Sequence, residues 1–581
     1  MIAPLANLLA VQENDPDRRL QLKASLAATA QFDRIDCRDS GWVVAQKYLP
    51  DSQPDGPEVA AAGFYFSEGR DEWEASALCR PEDWRKLGAQ LEADPAALSP
   101  LPGDFTFIHF GREQATAARS VAGRIPLYWW KTRNRWAIAT CFDYAALAPV
   151  LPDDRSPDLM SCLIWAHGGY YFVDGRTPLN AVRCAPAATY LRFDRQGVQL
   201  PRRYWTPPRL ARRLPTPEQE RRTLHEFRER FLREMGRQLH PGKPNMVSLS
   251  GGVDSSALAY ILHRQFKAKL WTISYLLKVP ESRQRELSYI RPVLKDCGVA
   301  KALMTTLDET WLLKSIQRPS RSLLPHFSST LDLVQRLPAG SRPATLFDGG
   351  FADEICGSVR TYPDWTRSLR FWQMLALWRR WPGGWKAPAR WFKHRLQDLW
   401  QVPNFGQHYL IHDLVPAAMR LEYGAAHRLA WRRAVAECPE RPYLRMCWEF
   451  NAAGHQWTWN ALSRIGVRPV LPFQCRSLIE LAMSTHPALQ VGPGIKRLLR
   501  ESFADVVPAL SLFRPDKGHI AVEWSLPSDH PVGEGRWWPG TVRYVPSAVN
   551  NFERLDVPAK RALLALDCIF RSLEGTLARR P

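Results

Sequence analysis

The nine residues Ser248-Leu249-Ser250-Gly251-Gly252-Val253-Asp254-Ser255-Ser256 combine the groups needed to hold a polyphosphate. Gly251 and Gly252 let the backbone turn tightly and point its N–H groups at one spot. Ser250, Ser255 and Ser256 add hydroxyl donors, and a helix that starts here adds partial positive charge from its N-terminus. The sequence is not the ordinary P-loop, G-x-x-x-x-G-K-[ST]. Asp254 is out of place in a pure phosphate cradle, because an anion beside anions needs a cation between them. Mg²⁺ meets that need: it is hard and octahedral, and one or two carboxylates plus phosphates usually hold it. A second carboxylate is available in Asp348-Gly349-Gly350-Phe351-Ala352-Asp353-Glu354.

Both acidic turns need a scaffold. Residues 245–249 read as a short strand and 256–266 as a helix; 270–275 is a strand, 285–295 a helix and 345–348 a strand. Strands alternating with helices imply a parallel sheet covered by helices, with both acidic turns at the carboxyl ends of strands. A charged helix over 218–239 precedes them. Residues 1–205 have a different character. Gly103 to Phe110 alternates apolar and polar positions, and 115–120, 127–131, 136–140 and 189–193 read as further strands. Pro207-Pro208 and Pro215-Thr216-Pro217 mark a linker over 206–216. The expected fold is therefore mixed, α/β and α+β: a β-rich domain 1–205, then a parallel-sheet domain 217–581 with a helical insert at about 362–445.

Composition sets outer bounds. The 581 residues are 45% hydrophobic and 23% charged, enough for two domains with a sizeable core. No apolar run reaches about 18 residues, which predicts no transmembrane helix, and the N-terminus makes a poor signal peptide. Eleven cysteines, with no C-x-x-C pair, fit reduced thiols in a cytoplasmic protein. The net charge of +20 favours anionic partners without choosing among them.

These residues resemble the PP-loop ATP pyrophosphatases, specifically the glutamine-dependent asparagine synthetases, over nearly the whole chain. Besides the two acidic turns, the resemblance rests on Gly103-Asp104-Phe105, Arg119, Gly123 to Tyr128, Trp136 to Thr140, Tyr190 to Phe193, Arg203-Tyr204-Trp205 and Pro472-Phe473. It continues through Gly494-Ile495-Lys496 to Glu501 and Arg514-Pro515-Asp516-Lys517-Gly518. It implies an N-terminal class II glutamine amidotransferase-like (Ntn-type) β-sandwich and a synthetase domain that uses ATP and Mg²⁺. It also implies that Leu249, Ile273 and Gly349 surround the nucleotide with Ser250, Gly251, Gly252, Ser255 and Ser256. Asp254 and Asp353 would hold the Mg²⁺, Lys496 would contact a phosphate, and Lys517 would stabilise a transition state.

Three departures redirect the expected function. Family glutaminases use a cysteine exposed after removal of the initiator Met, whereas Ile2 stands here, so the first domain is expected to be degenerate. The family's acidic or tyrosine catalytic residue, three positions before the metal aspartate, is replaced by Gly350. Arg468 and Val470 stand where asparagine synthetases have glutamate and arginine. These traits resemble the lasso peptide cyclases, with the β-lactam synthetases as a second such branch. The expected reaction is adenylation of an Asp or Glu side chain in a leader-free core peptide, then closure on the peptide's N-terminal amine with release of AMP and pyrophosphate. The alternative is a small-molecule amide ligase of β-lactam synthetase or ammonia-dependent asparagine synthetase type. Glu449 is the candidate base for the amine. Expected partners are the precursor core peptide, a leader peptidase and a leader-recognition protein, and no nucleic acid. Between Asp364 and Asp398 lie eight Lys or Arg residues, no acid and six tryptophans. That insert reads as a packed helical subdomain, or as a surface for peptide, partner, RNA or membrane.

Overall fold

The computed structural model describes most of residues 5–514. The main stretches left aside are 49–58, 66–80, 141–146, 167–174, 308–332, 374–416, 455–458 and 491–495. Only scattered positions are described within 358–373, and only Leu563, Leu566 and Asp567 beyond Arg514.

The N-terminal strands are β1 (Leu5–Gln12), β2 (Arg34–Cys37), β3 (Trp42–Tyr48), β4 (Val59–Tyr65), β5 (Gly103–Phe110), β6 (Ala115–Arg119), β7 (Tyr128–Thr132), β8 (Arg135–Ala139), β9 (Arg183–Cys184), β10 (Thr189–Phe193) and β11 (Arg202–Arg203). They form two sheets, ordered β2-β3-β1-β8-β7-β9 and β11-β10-β6-β5-β4. Neighbours run antiparallel throughout. Side chains from both sheets meet in one cluster. Leu8, Ala10, Trp42, Val44 and Ile138 come from the first, and Ile108, Phe110, Ala117, Leu191 and Phe193 from the second. Alternate residues on each strand face this layer, as period-2 side-chain geometry requires.

The chain then enters α1 (Pro217–Gln238), whose N-cap Thr216 forms a capping box with Gln219. The second domain is built on β12 (Asn245–Ser248), β13 (Leu270–Leu277), β14 (Lys301–Leu307), β15 (Thr345–Phe347) and β16 (Arg468–Val470). Their order is β14-β13-β12-β15-β16, all parallel. Such a sheet must be covered on both faces. One face packs Val247 and Phe347 against Leu258, Ile261 and Leu262 of α2 (Val253–Phe266) and against α1. The other packs Met246, Ile273 and Leu346 against Val334, Leu462 and Val467.

This order has a switch point. From β12 the chain proceeds outward through β13 and β14; it returns to the other side for β15 and β16. A crevice opens at the carboxyl ends of adjacent strands that diverge in this way. β12 leads into the glycine–serine turn and β15 into the second acidic turn, so both motifs flank that crevice.

Some boundaries move. The helix expected from Ser256 begins at Val253, with Gly252 as its N-cap, so Asp254, Ser255 and Ser256 lie in its first turn. The helix expected from Arg285 begins at Pro280 (α3, Pro280–Asp296), because proline suits the first helical position. Within the insert region, α5 (Ala417–Glu437) and α6 (Pro442–Gly454) follow the short α4 (Ala352–Cys356). The tryptophans at 378, 381, 385 and 391 lie outside the described residues. Trp365 is fully buried, whereas Trp372 is 76% exposed, so the two described tryptophans divide between packing and surface.

Candidate active site

The turn from β12 to α2 is held from within. Ser255 Oγ donates to the Gly252 carbonyl (3.2 Å) and accepts from the Ser250 amide (3.2 Å); the Gly252 amide donates to Ser250 Oγ (3.3 Å). Gly251 has φ +71°, a left-handed conformation that disfavours side chains. A Cβ there would stand 3.1 Å from Tyr289 and 3.2 Å from Ile290 of α3, so the turn is pressed onto that helix. Asp254 follows at the helix start, where the backbone favours negative charge.

The second turn is pressed onto the first. A Cβ on Gly349 would lie 2.8 Å from the Asp254 Cβ; only glycine leaves room for so close an approach. Asp348 Oδ1 accepts from the Gly350 amide (2.8 Å), and the Asp348 amide donates to the Val470 carbonyl (2.9 Å), tying the turn to β16. Burial pushes the Asp348 carboxyl above the usual range, against the Gly350 amide and the Ser248 hydroxyl. Phe351 then takes φ +71° before α4 begins, and Asp353 sits in its first turn. A left-handed phenylalanine is a strained residue, a feature concentrated at functional sites.

Both carboxylates meet one cation. Lys496 Nζ donates to Asp254 Oδ2 and lies 2.9 Å from Asp353 Oδ1. The lysine is almost fully buried and also has a left-handed backbone, φ +65°. Its amide donates to the Gly357 carbonyl just beyond α4 (2.7 Å). Burial pushes the ammonium pKa down, but Asp254 and Asp353 outweigh that and the net direction is up.

The other expected residues are distributed as follows. Leu249 and Ile273 are closed in the core, joined by the Leu249 amide donating to the Ile273 carbonyl (2.8 Å). Their side chains face opposite layers of the sheet, so only backbone atoms there can reach a nucleotide. Ser256 is buried in the first turn of α2. Lys517 lies outside the described residues, as does Ile2.

Glu449, the candidate base for the amine, is paired with two arginines. It stands in the middle of α6, where Oε2 accepts from Arg445 Nη1 (2.8 Å) and Oε1 lies 3.4 Å from Arg203 Nη2. Burial pushes the carboxyl up, but Arg445 and Arg203 hold it below the ordinary value. A carboxylate stabilised by two guanidiniums is a poor proton acceptor. It clamps β11 of the first domain to α6 of the second.

Arg514 is a residue that sequence reasoning passed over, although it opens a recognised motif. Its Nη1 donates to the Gly251 carbonyl (3.0 Å), and its guanidinium lies 4.1 Å from the Tyr289 ring centre. It thus braces the turn from outside. Nothing local in Arg514-Pro515 signals a partner more than 200 positions earlier.

A model of the family described as asparagine synthase matches residues 226–536, more than half of the chain, and that interval contains both acidic turns, Lys496 and Arg514. The chain belongs to the asparagine synthase family. Membership makes it an ATP-dependent carbon–nitrogen ligase of the asparagine synthetase kind, with ATP as the family's nucleotide and Mg²⁺ as its typical metal. No curated protein matches the sequence. Among solved structures, similarity is found to the allosteric regulatory enzyme of purine biosynthesis (9% identity, 54% of this chain and 82% of that one, TM-score 0.21). It extends to the glutamine phosphoribosylpyrophosphate amidotransferase of B. subtilis complexed with ADP and GMP (10%, 52% and 81%, 0.21). A third likeness is the U34-tRNA thiolase NcsA from Methanococcus maripaludis with its 4Fe-4S cluster (13%, 40% and 80%, 0.21). These likenesses are distant, and the assignment rests on the family match.

The donor set fits magnesium of the kind ATP carries. Among the described residues no group of three or more His, Cys, Asp or Glu could hold a metal. Two carboxylates that converge on the Lys496 ammonium are a donor pair that would suit Mg²⁺ bound with substrate phosphates. Asp254 and Asp353 would hold the ion, which would neutralise phosphate charge there. The turn amides and α2 would bind phosphate oxygens.

Proposed function

We propose that this ligase closes a peptide on itself: it adenylates an Asp or Glu side chain of a leader-free core peptide and joins it to the peptide's N-terminal amine, releasing AMP and pyrophosphate. The observation that carries the reading is the convergence of Asp254 and Asp353 on Lys496, paired with the loss of polar groups for free aspartate. Arg468 is buried, donates to the Gln238 carbonyl, and has its pKa lowered to about 10 by burial and then by neighbouring Arg124. Val470 is fully buried beneath the Asp348 turn. Neither offers a group to a small amino acid in the crevice.

The chemistry follows from charge. Amide formation from a free carboxylate is uphill in water, so the carboxylate attacks the α-phosphorus of ATP and pyrophosphate leaves. The turn amides of residues 250–252 and the first turn of α2 stabilise the leaving pyrophosphate. Lys496, once it has a phosphate to meet, adds positive charge. Lys517 is proposed to stabilise the transition state of adenylation or amide closure. The amine of the same molecule then displaces AMP, and positioning replaces an external ammonia source. The first domain, with Ile2 in place of a nucleophilic cysteine, is proposed to be a degenerate class II amidotransferase-like (Ntn-type) domain. A leader peptidase and a leader-recognition protein would supply the core peptide in the cytoplasm. Among the described residues no helix is long and apolar enough to cross a membrane.

The test is mass spectrometry of a linear core peptide incubated with the protein and Mg-ATP. The product is expected to be one water lighter, and replacing the acceptor Asp or Glu by Asn or Gln is expected to cut the rate at least about tenfold. Conversion of free aspartate and ammonia to asparagine, with the peptide unchanged, refutes the reading in favour of a small-molecule ligase.

A further inference from the structure

We infer that Lys496 is a resident cation that closes the acidic pair in the nucleotide-free chain and keeps a free divalent ion out until nucleotide phosphates draw it away. The inference rests on the family's Mg-ATP chemistry and not on the peptide reading. Its geometry is specific. The Lys496 ammonium contacts a carboxylate from each turn, Asp254 of α2 and Asp353 of α4. An ion bridging the same two groups would need the same space.

The lysine is built into this position. Its left-handed backbone is held by the Gly357 carbonyl, and Gly357 itself, at φ +93°, lies where a Cβ would be 2.6 Å from Gln490 Cβ. Gln490 Nε2 in turn donates to the Ile355 carbonyl inside α4 (2.8 Å). One buried side chain thus fixes the helix that carries Asp353, and the same helix end fixes Lys496. Arg500, one turn further along, is a second cation that feels Asp254.

Charge decides who can occupy the crevice. Two carboxylates are half neutralised by one ammonium. A divalent ion entering beside it would put like charges within a few ångströms. Polyphosphate changes the balance: its oxygens accept Lys496 and bridge to the metal, so both cations are accommodated together. The acidic turns therefore stay together without nucleotide, and metal arrives with ATP and not ahead of it.

Mn²⁺ serves as a paramagnetic substitute for Mg²⁺, with bound ion measured by electron paramagnetic resonance on the full chain and the melting temperature followed in the same samples. The wild type without nucleotide is expected to bind no Mn²⁺ at this site and to show no melting shift. Lys496→Met is expected to melt lower, to bind one Mn²⁺ per chain where the wild type binds none, and to recover its melting temperature with the ion. Adding Asp254→Asn to that variant is expected to remove the bound ion. Wild-type chain that binds one Mn²⁺ without nucleotide, released by Asp254→Asn alone, overturns the inference even if the methionine variant folds poorly. A folded variant whose melting ignores Mn²⁺ overturns it equally. Neither readout needs a peptide or turnover, so a chain that passes and closes no peptide keeps this inference and loses the proposed substrate.

Discussion

Asp254 and Asp353 are far apart in sequence and meet at one ammonium, and single residues settle how that meeting is made. Asp254→Ala is expected to abolish pyrophosphate release, by at least about a thousandfold, because charge stabilisation at the leaving group is the largest single contribution. The overall fold should survive, since Asp254 contributes no core packing; circular dichroism and a pyrophosphate assay separate the two. The carboxylate pair was legible in the sequence because each acid ends a glycine-rich turn. Lys496 was legible as a phosphate contact, but its place between the two acids was not, because it is brought there by α4 and Gly357 and not by its neighbours in the chain. The ion pairs of Glu449 were hidden for a similar reason. Its role is decided by Arg203 and Arg445, one of which lies in another domain.

Elements place these residues, and here glycine matters most. Gly349→Ala would drive a methyl group into Asp254 and push the two turns apart. A displacement of about 1 Å at such a site costs on the order of a hundredfold in rate, so kcat is expected to fall by about that factor, measured beside an unchanged KM for peptide. A second element carries a pH signature. His486 caps the short turn at Pro487–Leu489: its Nδ1 accepts from the Ala488 amide (3.1 Å). Burial, then nearby Arg441, lower its pKa from 6.5 to about 4. The unfolded chain therefore binds the proton more readily, so this contribution is full above about pH 6.5 and is lost as pH falls toward 4. His486→Asn keeps an acceptor at the cap and is expected to flatten the fall in melting temperature between pH 6.5 and 4. An equally steep fall in the variant would place the acid sensitivity elsewhere. Strand and helix existence was legible from alternation and turn residues, and their ends shifted where Gly252 and Pro280 set the caps.

At the scale of the whole molecule the two domains are joined through shared side chains. Trp448 donates to the Val121 carbonyl (2.7 Å) and meets Trp205 edge to face (5.1 Å), Gln474 donates to the Ala122 carbonyl (3.0 Å), and Arg124 Nη1 donates to the Leu471 carbonyl (3.4 Å). One hydrophobic cluster runs from Phe105 and Phe107 through Trp205 into α1 and α2. The motif Arg203-Tyr204-Trp205 announced this junction, but its partners on α6 and at Gln474 were not readable, because they depend on how distant helices are oriented. The first domain thus contributes to the scaffold of the second; the loss of its glutaminase chemistry is the proposal. Purified protein is expected to release no glutamate from glutamine, measured by enzymatic glutamate assay, and measurable release would restore an ammonia source. The most direct measurement of the account is phosphorus NMR of Mg-ATP with the protein and a linear core peptide. Equimolar AMP and pyrophosphate that appear only with the peptide, matching the amount closed, are the expected result. ADP and phosphate, or AMP formed from free aspartate and ammonia while the peptide stays linear, would contradict it.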